Sequence, residues 1–166
     1  MSTMNVLICQ QPKELVWKQR EIPIPGDNEA LIKIKSVGIC GTDIHAWGGN
    51  QPFFSYPRVL GHEICGEIVG LGKNIADLKN GQQVAVIPYV ACQQCPACKS
   101  GRTNCCEKIS VIGVHQDGGF SEYLSVPVAN ILPADGIDPQ AAALIEPFAI
   151  SAHAVRRAAI APGEQV

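Results

Sequence analysis

The stretch VACQQCPACKSGRTNCC, residues 90–106, contains five of the eight cysteines of the chain. Cys92, Cys95 and Cys98 form a C-x2-C-x2-C run, and seven residues separate Cys98 from Cys106. Four thiolates spaced in this way on a loop can converge on one tetrahedral zinc ion, at Zn–S distances of ~2.3 Å. A site closed by four sulfurs leaves no coordination position for a substrate, so the stretch predicts a structural zinc site in a small lobe.

The sequence leaves two alternatives to zinc open for this cluster. The cysteines can be free or disulfide-bonded, or they can hold an iron–sulfur cluster. The bacterial iron–sulfur run places its fourth cysteine after three residues and follows it with proline. Here seven residues intervene and Glu107 follows Cys106, which favours zinc. Cys105 is an additional thiol that competes with Cys106 as the fourth ligand.

The composition is that of one ordinary domain. The chain has 166 residues, and 13 basic against 15 acidic residues give a net charge of −2, so no basic surface for nucleic acid is expected. The amino terminus has no secretion-signal pattern, and no apolar run approaches the ~20 residues of a membrane span. These features predict no membrane partner and a cytoplasmic location, where thiols stay reduced.

The pattern of apolar residues predicts a mainly β fold with some α. Sixteen glycines and twelve prolines divide the chain into short segments, as in a small barrel or sandwich. In ALIKIKSVGI (30–39) apolar residues alternate with lysines, which is typical of a half-buried strand. Further strand-like segments are 4–9, 64–71, 82–90, 121–126 and 129–133. Helical spacing appears only late, after Asp138 as a candidate N-cap and again over 147–160.

A second group of metal-binding residue types is spread along the chain. GICGTDIH (38–45), VLGHEICG (59–66) and the glutamate of LIEPFAISAH supply two thiols, two histidines and three carboxylates. Three protein ligands with one open position are the pattern of a catalytic zinc. The residues are Cys40, Thr42, Asp43, His45, His62, Glu63 and Glu146. Taken singly, Cys40, His62 and Glu146 are explained better by packing or by exposure to solvent, and the sequence alone does not show that the three meet.

The order CGTDIH, GHE, C-x2-C-x2-C-x7-C, DGGFSEY and IEP resembles the zinc-containing medium-chain alcohol dehydrogenases over nearly the whole chain. The glutamate of IEP resembles the polyol dehydrogenase branch, and the whole string is similar to sugar-acid dehydrogenases such as galactonate oxidoreductases. The resemblance implies a GroES-like β-barrel catalytic domain over 1–160, with a zinc lobe at about 90–110. It implies that 161–166 begin the link to a nucleotide-binding domain.

The resemblance also implies two zinc ions per chain and a role for each candidate residue. Cys92, Cys95, Cys98 and Cys106 would hold the structural ion. Cys40, His62 and either Glu63 or Glu146 would hold the catalytic one. Asp43 would orient the zinc histidine, Thr42 would take the alcohol proton, and His45 would pass it towards solvent. Trp47 and Tyr89 are candidates for lining the substrate pocket.

The activity implied is hydride transfer from a secondary alcohol of a polyol or sugar acid to NAD or NADP, in a homo-oligomer at full length. The dinucleotide fingerprint G-x-G-x-x-G is not matched, because GLGKNI (70–75) has Ile75 at the last glycine. We therefore expect no Rossmann domain in this chain and little activity from it alone. Two alternatives are a non-enzymatic binding module stabilised by zinc or iron–sulfur, and a zinc-free reductase of the same superfamily.

Overall fold

The computed structural model describes residues 2–165, which contain ten β-strands, four α-helices and two 3₁₀ helices. The strands are β1 Thr3–Gln11, β2 Glu14–Glu21, β3 Glu29–Gly38, β4 Arg58–Val59, β5 Glu63–Leu71, β6 Gln83–Val86, β7 Tyr89–Val90, β8 Ser110–Val111, β9 Tyr123–Pro127 and β10 Ile131–Pro133. The α-helices are α1 Gly41–Gly48, α2 Pro96–Lys99, α3 Pro139–Ala143 and α4 Ile145–Ala158, and the 3₁₀ helices are Thr103–Cys105 and Val128–Asn130. The expected mainly β fold with some α is confirmed.

The central sheet has five strands in the order β10-β6-β5-β3-β9, and all neighbours are antiparallel. The alternation that predicted β3 holds, because Ala30 and Ile32 are fully buried while Lys33 and Lys35 are exposed. Ile32 lies opposite Ile68 of β5 and contributes to the largest apolar core cluster. The second sheet has the order β2-β1-β4, and β7 pairs with β8 beside the cysteine lobe.

Two of the sequence predictions differ from the structure. The segment 82–90 is two strands, because Pro88 has no N–H for the ladder and the chain turns between β6 and β7. Asn130 is buried at this turn and donates to the carbonyls of Ile87 and Tyr89 at 2.8 and 3.1 Å. The strand β2 was not predicted, because its residues are mostly exposed and lack apolar alternation.

The first helix also differs from the sequence prediction. Helical spacing was expected only late, yet α1 begins directly after Cys40. It is short, and Asp43 in its first turn accepts a hydrogen bond from the backbone N–H of Cys40, which satisfies one of the free groups at the helix start. The later prediction is confirmed, since Asp138 accepts bonds from the N–H groups of Gln140 and Ala141. None of the helices in residues 2–165 has the length and apolar character to cross a membrane.

The register of β3 and β5 decides which distant residues become neighbours. Because the two strands are antiparallel, the last residue of β3, Gly38, lies opposite the first residue of β5, Glu63. Cys40 follows β3 by two residues and His62 precedes β5 by one. The sheet therefore brings the CGTDIH and GHE motifs to the same edge.

The DGGF loop holds the GHE loop in place. Gly119 donates to the carbonyl of Gly61 at 2.8 Å, and Gly118 donates to that of Val59 at 2.8 Å. A side chain at Gly118 would overlap the backbone of Gly61, so only glycine allows this close approach. Gly61 itself has a φ of +89°, a conformation that glycine adopts without strain.

Candidate metal centres

The structure brings together one thiol, one imidazole and one carboxylate at the edge of the central sheet. The ligand atoms of Cys40, His62 and Glu63 all lie within 4.8 Å of one another. His62 and Glu63 are each 6% exposed, and Cys40 is half-buried. The thiol comes from one motif and the other two ligands from the next, and the β3–β5 register is what makes them neighbours.

Asp43 ties the two segments of this cluster together. One carboxylate oxygen accepts from the N–H of Cys40 at 2.9 Å, and the other accepts from the N–H of Gly61 at 3.0 Å. Both bonds join a charged acceptor to backbone donors in a buried setting, where such bonds are strong. Asp43 therefore fixes the backbone on either side of the thiol and the imidazole.

The imidazole of His62 also faces Asp43. Its Nδ1 atom is buried, has no hydrogen-bond partner in residues 2–165, and lies 3.9 Å from Asp43 Oδ1. A carboxylate on this side favours the tautomer with hydrogen on Nδ1 and leaves the Nε2 lone pair for a metal. This is the relation between a ligating histidine and the acid behind it that many metal sites show.

The buried Glu63 carboxylate occupies space that Gly38 leaves free. A methyl group at Gly38 would overlap the Glu63 carboxylate, and no basic side chain within residues 2–165 forms an ion pair with Glu63. A buried carboxylate is costly unless a cation or metal compensates it. Sulfur, nitrogen and oxygen donors are all ligands of zinc, so the cluster fits this metal. Gly38 was missed by the sequence reasoning, although a glycine that ends a strand often marks a close approach.

Glu146 lies outside this group of three ligands. It is in the first turn of α4, and Oε1 accepts a hydrogen bond from Tyr89 Oη at 2.6 Å. Burial raises the pKa of Tyr89, and the hydrogen bond to Glu146 and the charges of Glu146 and Cys40 raise it further. The Tyr89 hydroxyl is therefore in direct contact with Glu146. Of the two candidate carboxylates, the geometry joins Glu63 to Cys40 and His62.

The remaining candidates lie along α1. Thr42 Oγ1 is 3.7 Å from Cys40 Sγ, whereas His45 is exposed on the outer side of the helix. Trp47 lines an apolar pocket of about 390 Å³. The pocket also contacts Ile39, Ile44, Leu60, Phe120 and Asp43, so it borders the residues that position the cluster.

The four cysteines of the lobe also converge. The sulfurs of Cys92, Cys95, Cys98 and Cys106 all lie within 4.8 Å of one another. Cys98 Sγ is 3.5 Å from Cys95 Sγ and 4.0 Å from Cys92 Sγ. A tetrahedron with Zn–S bonds of ~2.3 Å has sulfurs about 3.8 Å apart, so the cluster fits a structural zinc. No cysteine in residues 2–165 forms a disulfide, and Cys105 is exposed and outside the cluster.

Backbone amides surround the lobe sulfurs. Cys106 Sγ accepts from the N–H groups of Cys92 and Lys108, each at 3.3 Å. Backbone N–H groups at Gln94 and Cys95 lower the pKa of Cys92 to about 6. Burial instead raises the pKa of Cys98. Amides that stabilise thiolate charge prepare a site for a cation, because the thiolate is the form that binds metal.

Residues 26–136 match the Alcohol dehydrogenase GroES-like domain family. An uncharacterized zinc-type alcohol dehydrogenase-like protein of Haemophilus influenzae is 43% identical over 166 residues, which are 98% of this chain and 48% of the relative. The chain belongs to the alcohol dehydrogenase GroES-like domain family. The expected family and its GroES-like domain are thus confirmed, whereas the galactonate specificity remains a prediction.

Solved structures of other alcohol dehydrogenases superpose closely on this GroES-like domain. An alcohol dehydrogenase of Escherichia coli CFT073, solved with the cofactor NADH, has a TM-score of 0.88 and 40% identity over 95% of this chain and 46% of its own. The galactitol-1-phosphate dehydrogenase of Escherichia coli has a TM-score of 0.88 and 33% identity over 93% of this chain and 45% of its own. The chain spans about half the length of the curated relatives it matches.

Proposed function

We propose that this GroES-like domain is the catalytic part of a zinc-dependent dehydrogenase that transfers hydride from a secondary alcohol to NAD or NADP. The observation that carries the proposal is the meeting of Cys40, His62 and Glu63 within 4.8 Å, in a buried setting. In this proposal residues 1–160 form the catalytic domain with its lobe at about 90–110. Residues 161–166 begin the link to a nucleotide-binding domain.

Cys40, His62 and Glu63 would hold the catalytic zinc, and the four lobe cysteines would hold the structural one. Bound zinc acts as a Lewis acid that lowers the pKa of a coordinated alcohol. A nicotinamide cofactor would supply the hydride acceptor, because no side chain accepts hydride usefully. Since the relatives are about twice as long as this chain, we propose that the cofactor binds mainly to a further domain.

The residues of α1 handle the proton in this proposal. Thr42 accepts the alcohol proton, and its support is the 3.7 Å distance between Thr42 Oγ1 and Cys40 Sγ, which puts the hydroxyl beside a ligand. His45 passes a proton to solvent, because it is exposed and imidazole is a common proton shuttle. Asp43 orients His62 and holds the Cys40 and Gly61 backbone.

The proposed substrate class is a polyol or sugar acid. The similarity to a galactitol-1-phosphate dehydrogenase supports a polyhydroxylated substrate. The carboxylate of Glu63 among the proposed ligands supports it as well, because a carboxylate makes the metal shell harder than a thiolate would, and a harder metal favours oxygen donors such as substrate hydroxyls. We further propose a cytoplasmic homo-oligomer.

Metal analysis tests this proposal. We expect two zinc ions per chain in the wild type by inductively coupled plasma mass spectrometry, and one in His62→Ala. Full-length protein should reduce NAD or NADP with a polyol, and the 166-residue chain alone should not. One zinc per chain that His62→Ala leaves in place would overturn the enzymatic proposal in favour of a zinc-stabilised binding module.

A further inference from the structure

The strand β2 is the longest strand at a sheet edge in the described part of the chain. It has eight residues, whereas the other edge strands have two to five. Within residues 2–165 β2 pairs with β1 alone, and only Glu14 and Val16 of its residues are half-buried. The outer side of such a strand presents a row of N–H and C=O groups to which another strand can add.

The surface beside this edge is apolar. Trp17 is 71% exposed and Leu15 is 45% exposed, and both lie on the same face of the sheet because they are two residues apart. Leu7 lies opposite Trp17 on β1, and it lines the pocket of about 390 Å³ together with Leu15 and Trp47. An apolar surface therefore extends from this pocket to the open edge. A tryptophan exposed at such a place is typical of the centre of an interface.

The sequence of β2 limits how two copies of it could pair. In an antiparallel pair related by a two-fold axis, opposite residues share a face, so the axis passes through one residue position. An axis at Lys18 would set two lysines opposite each other, which is destabilising. An axis at Val16 would set the end of β2 opposite the turn at Pro12, which has no N–H to donate. An axis at Trp17 pairs the whole of Glu14–Arg20, and axes farther from the centre pair fewer residues.

The charges of β2 match each other in the register centred on Trp17. Glu14 lies opposite Arg20 of the second copy, and the symmetry produces this pair twice. Trp17 lies opposite Trp17, and cross-strand pairs of opposite charge and of aromatic rings both stabilise a sheet. Arg20 also contacts Asp117 at 2.5 Å, but a guanidinium has five N–H donors and can bond to two carboxylates. Charged residues on an edge strand usually prevent pairing, and here they select one register.

We propose that the exposed edge of β2 binds β2 of a second copy of this chain, antiparallel and centred on Trp17. The two three-stranded sheets then form one six-stranded sheet, and the exposed side chains of Trp17 and Leu15 are covered in part. The inference goes beyond the proposed function, because it names the surface of association and needs neither metal nor turnover.

Sedimentation equilibrium of the 166-residue chain tests the pairing through its charges. We expect the wild type to form dimers. Glu14→Lys should weaken the dimer by about 10-fold at low ionic strength, because both symmetric pairs change from attraction to repulsion. Adding Arg20→Glu to this variant should restore the dimer, because the two charges are then exchanged. Asp77→Lys makes the same change of charge in the exposed loop between β5 and β6, and it should leave the dimer unchanged.

Cysteine cross-linking tests the register. In a Cys105→Ser background, which removes an exposed native thiol, Trp17→Cys should form a disulfide-linked dimer under mild oxidation, because position 17 opposes itself at a cross-strand distance. Gln19→Cys is the matched control on the same exposed face. Its two thiols would be four residues apart along the strands, about 13 Å, which is beyond the ~7 Å reach of a disulfide. Non-reducing electrophoresis measures the yield of both.

The outcomes separate this inference from the proposed function. A monomeric wild type overturns the pairing, and so does a dimer that Glu14→Lys does not weaken. A charge-exchanged variant that is folded by circular dichroism but stays monomeric also overturns it, as do equal cross-linking yields at positions 17 and 19. Cys40→Ser, which should lose the proposed catalytic zinc, should still form the dimer, so failure of either proposal leaves the other intact.

Discussion

The two candidate metal-binding clusters of this chain are built in opposite ways. The lobe takes its four cysteines from one stretch of fifteen residues, and loops with a short helix and a 3₁₀ turn connect them. The other cluster takes Cys40 from the end of β3 and His62 and Glu63 from the start of β5. The first is local in sequence, and the second exists only when two strands pair in one register.

The difference extends to what surrounds each cluster. Backbone N–H groups contact the lobe sulfurs directly, and four like donors close the site. In the other cluster, the open cluster, a thiol, an imidazole and a carboxylate would leave one position of a tetrahedral metal open, and Asp43 and Gly38 set the geometry. A closed site braces a loop, and an open one can receive a substrate.

Cys40→Ser should have the largest effect and should act on the open cluster alone. We expect one zinc to be lost and the rate of hydride transfer in the full-length protein to fall about 10³-fold, equal to roughly 4 kcal/mol of lost transition-state stabilisation. Zinc analysis and steady-state kinetics measure the two effects. Full activity with one zinc per chain would show that the open cluster is not the reaction centre.

Gly38→Ala should weaken the open cluster without touching any ligand. The added methyl group would displace the Glu63 carboxylate, so the zinc affinity of this cluster should fall by about 10–100-fold while the lobe keeps its metal. Competition with a chromophoric chelator measures both sites. Gly41→Ala is the matched control, because no atom lies within 4 Å of the position of its methyl group. Equal affinities in the two variants would mean that Gly38 does not shape the site.

Cys105→Ser should have the smallest effect, and it tests whether Cys105 belongs to the ligands of the lobe. Cys105 is exposed and outside the cluster, so zinc content should stay at two and the free energy of unfolding should change by less than about 0.5 kcal/mol. Cys106→Ser, one residue along, should lose one zinc. Metal analysis with chemical denaturation compares the pair. Loss of zinc in Cys105→Ser would reassign the fourth ligand.

The sequence was sufficient for much of the fold and for the family. Alternating apolar residues marked β3, the turn residues marked the mainly β class, and Asp138 marked the start of α3. The strand β2 and the helix α1 were not predicted, because one lacks apolar alternation and the other is too short to show helical periodicity. Sequence patterns indicate which residues are buried and which local conformation they prefer. Neither β2 nor α1 is marked by such a pattern.

The sequence alone determined the site whose residues are close together along the chain. Four cysteines within fifteen residues are close enough along the chain for one loop to bring them together, so the lobe and its fit to zinc could be predicted directly. The sequence could not decide whether Glu63 or Glu146 joins Cys40 and His62, since either glutamate is chemically able to bind zinc. Only the antiparallel register of β3 and β5 places Glu63 in the space above Gly38, and only the packing of α4 against β5 and β6 brings Glu146 to Tyr89. The physical reason is that contacts between distant segments depend on strand register and helix packing, which no local pattern encodes.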